Sequence, residues 1–139
     1  MCATRWTQSV LVVDASVVVP ALAHGGDDGE RARARLISDH PVAPELLDVE
    51  VVSALRGLVR GAKLPAEDAA RALALLASMP ITRASHGRLI ARVWSLRDNL
   101  TAYDATYVAL AESLEATLVT RDARIAAAPG LRCPVEVLP

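Results

Sequence analysis

The feature that most constrains this chain is the run Val10-Leu11-Val12-Val13, four apolar and mostly β-branched residues that stop at Asp14. A strand with one wet face alternates apolar and polar residues. An unbroken run needs cover on both faces, the condition of a parallel strand between two layers of helices. Thr117-Leu118-Val119-Thr120 is a second such strand, Ile81-Thr82-Arg83 a short third, and Val135-Glu136-Val137-Leu138 a last one. Between them, helical patterns are predicted over 16–23, 30–38, 45–60, 65–78, 86–96 and 102–114, with Asp122 opening another short helix. His24-Gly25-Gly26-Asp27-Asp28-Gly29 reads as a loop, and Asp39-His40-Pro41 as the stop of the helix before it. Strands alternating with helices predict a three-layer α/β/α sandwich around a short parallel sheet. At 139 residues without a linker or repeat, residues 1–139 are expected to form a single domain.

Composition sharpens this. The chain has no Phe, and its aromatics are Trp6, Trp94, Tyr103 and Tyr107. Its 53% hydrophobic content therefore means a core of Leu, Val, Ile and Ala. So few aromatics argue against a stacking platform for single-stranded nucleic acid. Fifteen basic and 16 acidic residues leave a net charge of −1, which argues against gripping nucleic acid by bulk charge. Local contact with RNA by an enzyme remains open. Cys2 and Cys133 have no CxxC partner, and His24, His40 and His86 complete no zinc pattern, so free thiols in a reducing compartment are expected. No apolar run approaches the ~18 residues of a membrane span. The start, MCATRWTQS, lacks the apolar core of a signal peptide. The expectation is a cytoplasmic protein.

Ligands of open parallel sheets bind beyond the carboxyl ends of the strands. Asp14 and Asp122 follow two such ends. Each alone also reads as a helix N-cap, worth about 1 kcal/mol. Thr101-Ala102-Tyr103-Asp104 resembles a capping box, yet Asp104 shares a helical face with Val108 and Ala111, pointing it toward the core side. Glu50 lies in mid-helix, where no cap exists, beside Leu46, Leu47, Ala54 and Gly57. Arg56 and Arg60 fall on the other flank, so no intrahelical pair explains it. If the four acids converge, capping fails as an explanation. Two like charges ~4 Å apart repel by roughly 4 kcal/mol at an effective dielectric near 20. Such a cluster protonates or binds a hard cation, and oxygen ligands select Mg²⁺ or Mn²⁺ over zinc. That chemistry suits phosphodiester cleavage. Ser16 and Thr120 flank two of the acids and are candidates to hold a water or a ligating carboxylate.

Four segments carry a resemblance to a known family. They are Leu11-Val12-Val13-Asp14-Ala15-Ser16; Ala43-Pro44-Glu45-Leu46 leading into Glu50-Val51-Val52-Ser53-Ala54-Leu55; Tyr103-Asp104-Ala105-Thr106-Tyr107 continuing to Glu112; and Leu118-Val119-Thr120-Arg121-Asp122. In this order and spacing the chain resembles a PIN domain, specifically the toxin subunit of a VapBC-type toxin–antitoxin pair. The resemblance spans Leu11 to about Val137. It implies that Asp14, Glu50, Asp104 and Asp122 gather at one end of the sheet and hold Mg²⁺ or Mn²⁺ as the catalytic and metal site of an endoribonuclease. It further implies a homodimer, an RNA substrate, and neutralisation by a cognate VapB-like antitoxin whose C-terminal segment occupies the acidic groove.

Other classes stay open on the residues alone. An aspartyl phosphatase wants a second Asp two positions after Asp14, where Ser16 stands. A receiver wants a lysine after a late strand, and the only lysine is Lys63, between two helices. A metal-independent interaction module would leave the acids without a cation.

Overall fold

A computed structural model describes residues 9–139. Five strands, β1 (Val10–Val13), β2 (His40–Pro44), β3 (Thr82–Ala84), β4 (Thr117–Thr120) and β5 (Val135–Val137), form one sheet in the order β3-β2-β1-β4-β5. Every pairing is parallel. Helices α1 (Ala15–Ala23), α2 (Asp27–Ser38), α3 (Leu46–Arg60) and α4 (Ala66–Ser78) precede β3. After it come a 3₁₀ turn (Gly87–Leu89), α5 (Ile90–Ser95), α6 (Ala102–Ser113) and α7 (Ala123–Ala127). α1 packs on α2, α3 and α4, while α5 packs on α6, which meets β1, β2 and β4. The result is the expected α/β/α sandwich. Its centre is β1 and β4, where Val12, Val13, Leu118 and Val119 are fully buried.

One strand was not anticipated. Asp39-His40-Pro41 reads as a helix stop and no strand is expected before the helix at Glu45, yet residues 40–44 pair as β2 between β3 and β1. Proline is normally confined to sheet edges because it lacks an N–H to donate. The register resolves this. The His40 N–H donates to the Ser9 carbonyl, so alternate N–H groups of β2 face β1. Pro41 then faces the β3 side, where pairing starts only at Val42, and Pro44 faces β1, where pairing has already ended at Val42. Neither proline breaks a rung. Pro44 also ends the β1–β2 ladder where the chain leaves the sheet at Asp14.

Other elements shift less. α2 starts at Asp27 within the expected loop, because Asp27, Asp28 and Glu30 fill its first turn and favour the positive end of the helix dipole. Gly29, inside that turn, sits against the end of α1. A Cβ there would lie 1.9 Å from the His24 carbonyl oxygen. The helix expected over 86–96 is a 3₁₀ turn followed by a short α5. His86 is used elsewhere: its Nε2 accepts from the Leu46 N–H at 3.1 Å and caps α3, whose own N-cap, Glu45, makes no side-chain bond. Cys133 is a free thiol; Cys2 lies outside the described residues. Among the described residues no helix is long and apolar enough to cross a membrane.

The two central strands carry the core, so Leu118→Ala should lower stability by about 2–5 kcal/mol through the cavity it leaves. Urea unfolding should show a lower midpoint with an unchanged slope.

Candidate functional site

The β1–β4 register pairs Val13 with Val119, so the next residues, Asp14 and Thr120, stand opposite each other at the carboxyl edge. The Thr120 hydroxyl donates to Asp14 Oδ2 at 2.6 Å. The Ser16 hydroxyl donates to Oδ1 at 2.5 Å, and the Ser16 N–H reaches the same oxygen at 3.1 Å as the N-cap bond of α1. Ser16 Oγ in turn accepts from the Arg121 N–H at 2.8 Å, and Thr120 Oγ1 from the Asp122 N–H at 3.0 Å. The two hydroxyls thus stitch the turn after β1 to the turn after β4. Asp14 is both a cap and, at 6% exposure, a buried carboxylate. The two readings coexist.

Glu50 reaches the same edge from the second turn of α3, whose buried stripe is Leu47, Val51 and Leu55. It forms no ion pair among the described residues. Its Oε1 is buried with no hydrogen-bond partner, and so is the Tyr107 hydroxyl on α6. The two groups are close enough to influence each other's titration but make no bond of normal geometry. Asp104 comes from the first turn of α6. Thr101 caps that helix by accepting the Asp104 N–H at 3.1 Å. The reciprocal backbone bond of a full capping box is not made.

The charges are coupled. Burial, more than any other cause, pushes the Asp14 carboxyl up from its ordinary value, with Asp104 adding to it against the bonds from Ser16 and Thr120. Burial likewise raises Glu50, and Asp104 and Asp14 add to it. Asp104 is raised by burial and then by Asp122. Asp122 is the exception. Arg124 donates from Nε and Nη2 to its two oxygens at 3.0 and 2.8 Å and holds it below the ordinary range.

Three acids, at the N-cap of α1 and on α3 and α6, therefore sense one another, and Asp104 links them to the fourth. In this conformation no three His, Cys, Asp or Glu side chains among the described residues are grouped as metal ligation requires. The donor set still suits a hard cation: carboxylates and hydroxyls, no nitrogen or sulfur, and a buried Glu50 oxygen that no protein group satisfies. A groove of ≈ 710 Å³ adjoins the acids between α1 and α3, lined by Ser16, Pro20, Val49, Glu50 and the exposed Tyr103. Sequence reasoning missed Tyr107 and Arg124. A signal for the second existed: the residue two past a capping Asp supplies the capped N–H, so a long side chain there folds back on the same carboxylate.

A family model described as PIN domain matches residues 11–131. Ribonuclease VapC1 of Mycobacterium tuberculosis (strain ATCC 25618 / H37Rv) is 45% identical over 128 residues, 91% of this chain and 96% of that protein. The structure of PAE2754 from Pyrobaculum aerophilum superposes with a TM-score of 0.69 at 24% identity, covering 94% of this chain and 85% of the other. That of VapBC2 from Rickettsia felis, bound to a DNA fragment from their promoter, gives 0.64 at 15% identity, covering 92% and 98%.

Raised carboxyls in a fold mean that the native state holds protons the unfolded chain has released. Their ionisation destabilises the fold as pH climbs from the ordinary carboxyl values, 3.8 for Asp and 4.5 for Glu, through the raised ones. Glu50→Gln, nearly neutral for helix propensity, removes one such charge. In EDTA it should match wild type near pH 4 and exceed it by about 1 kcal/mol near pH 8, the scale of one screened like-charge contact. Thermal melts at both pH values check this. A less stable Gln variant at pH 8 would mean that Glu50 serves the fold through a favourable partner.

Proposed function

The chain belongs to the PIN domain family, and from that premise we propose that it is a divalent-metal-dependent endoribonuclease, the toxin of a type II toxin–antitoxin pair. The observation that carries the reading is the electrostatic coupling of Asp14, Glu50 and Asp104 at the carboxyl edge of the sheet, with a buried Glu50 oxygen left unsatisfied. Capping alone explains none of that for Glu50. The similarity to a named VapC ribonuclease over 91% of this chain supports the same activity.

Asp14, Glu50, Asp104 and Asp122 are the residues that would hold Mg²⁺ or Mn²⁺, directly or through water. When bound, the cation supplies an activated water and neutralises charge on the phosphate oxygens in the transition state. The chain's own part is positional. Ser16 and Thr120 fix both oxygens of Asp14 to the sheet edge, so its direction is set by β1 and β4. Asp104, in the first turn of α6, adds its charge to those of Asp14 and Glu50. Because burial raises all three carboxyls, protons compete with a cation for them at low pH, so metal affinity should climb with pH. RNA would lie along the groove beside Glu50 and Tyr103, and its cleavage would arrest translation and growth.

The same acidic edge suits a basic inhibitor. We take the partner to be a VapB-like antitoxin, consistent with the fold shared with VapBC2, and the working unit to be a homodimer of single-domain chains in the cytoplasm.

Asp14→Asn and Asp104→Asn should each lose at least about a hundredfold in RNA cleavage and the accompanying growth arrest while keeping the wild-type circular dichroism. Wild type should cleave total RNA with Mg²⁺ or Mn²⁺ and not in EDTA. Wild-type cleavage by either variant would remove that residue from the site. Co-expression with the product of a neighbouring reading frame should restore growth, and failure of any adjacent small protein to bind would count against the toxin role but not the nuclease.

A further inference from the structure

Arg124 is the cation that, among the described residues, forms a salt bridge with one of the four site acids. It takes both oxygens of Asp122 through its side chain, and its own N–H donates to Oδ1 at 3.0 Å. Asp122 therefore spends its acceptors on a single residue two positions away. The pair is lopsided: the Arg124 side chain is 91% exposed and that of Asp122 24%. The guanidinium sits on the solvent side and the carboxylate beneath it. An ion pair so open to water exchanges partners readily. A fork that fits a carboxylate also fits a phosphate. The other arginine at this turn, Arg121, is tied to Asp28 of α2 at 3.0 Å and is less exposed, so it acts as a strut.

We infer that Arg124 is a displaceable positioning residue of the RNA-cleaving site: it covers Asp122 while no cation is bound, yields it to a divalent cation, and turns to a phosphate of the RNA. The inference rests on the ribonuclease reading. It explains how a chain of net charge −1 can hold a polyanion at an acidic edge: the cation freed there is one the site itself had occupied. It also makes two demands of opposite sign on one side chain. Removing Arg124 should uncover Asp122 for the metal and at the same time deprive the RNA of a contact.

The test compares wild type, Arg124→Ala and Arg124→Lys as full chains. Both variants keep the backbone N–H that Asp122 caps, so circular dichroism should stay at wild type. Calorimetric titration with Mn²⁺ should show Arg124→Ala binding several-fold more tightly than wild type. On an RNA oligonucleotide drawn from a site that wild type cuts in total RNA, KM should increase about tenfold for Arg124→Ala, with kcat changed much less. The slope of log(kcat/KM) against log salt should become shallower by about 0.7, the contribution of one phosphate on a single strand. Arg124→Lys should keep the wild-type slope, since the charge remains, and fall between the two in KM. Unchanged or weaker Mn²⁺ binding in Arg124→Ala, or an unchanged salt slope, overturns the inference. If wild type does bind Mn²⁺ and cut RNA, the ribonuclease reading survives that result. If wild type does neither, the reading fails and this inference falls with it.

Discussion

The structure depends on a buried carboxylate at the end of its central strand. Asp14 is 6% exposed, and an ionised group so placed is tolerated only if its oxygens are satisfied. Ser16 and Thr120 do that from two sides, and Thr120 is available only because the β1–β4 register brings it opposite. The same carboxylate caps α1. Sheet register, helix start and site geometry thus meet in one side chain. Moving β4 by one residue would turn Thr120 away and leave Asp14 unsatisfied.

The four acids divide into two electrostatic kinds. Asp14, Glu50 and Asp104 are raised mainly by burial, with one another's charge adding, and they come from elements locked into the core. Asp122 opens a helix of five residues at the surface and is held low by Arg124. The first three form the part of the site whose charge is frustrated without a cation. The fourth is already neutralised within the chain. One cluster therefore offers both a strong demand for positive charge and a place where that demand is internally met.

Much of this was legible in the residues. The runs at 10–13 and 117–120 have no other home than the middle of a parallel sheet, and Glu50 had no local partner that would explain it. What stayed hidden depended on long-range pairing. β2 contains two prolines, and only its neighbours' short register makes them harmless. His86 caps α3 across 40 residues, a bond that no local pattern announces. Tyr107 looked like core, and it is; that its hydroxyl lies near Glu50 without a proper partner follows from how α6 crosses the sheet. Asp104 shows the limit of motif reading. The sequence resembles a capping box, and Thr101 does accept the Asp104 N–H, but the carboxyl at that position also lies within the electrostatic reach of Asp122.

The near-zero net charge has a structural meaning that composition alone conceals. Arg35 of α2 binds Glu136 of β5 at 2.7 Å, and Arg83 of β3 binds Asp48 of α3 at 2.8 Å. Arg92 of α5 binds Glu112 of α6 at 2.6 Å and also donates to the Gly130 carbonyl. These pairs are part-buried, and the desolvation they cost offsets much of their attraction, so their sum is not what holds the sandwich together. They act instead as clips between the outer helices and the sheet edges or neighbouring helices, after the apolar core has formed. Because these arginines are committed to carboxylates, they contribute little field at the acidic end. At the acidic end itself, attraction of a polyanion would then rest on a cation held there, either a metal among the acids or an arginine released from them. Balanced charge and nucleic-acid chemistry are then compatible, since what counts is the small set of charges free to change partners at the carboxyl edge.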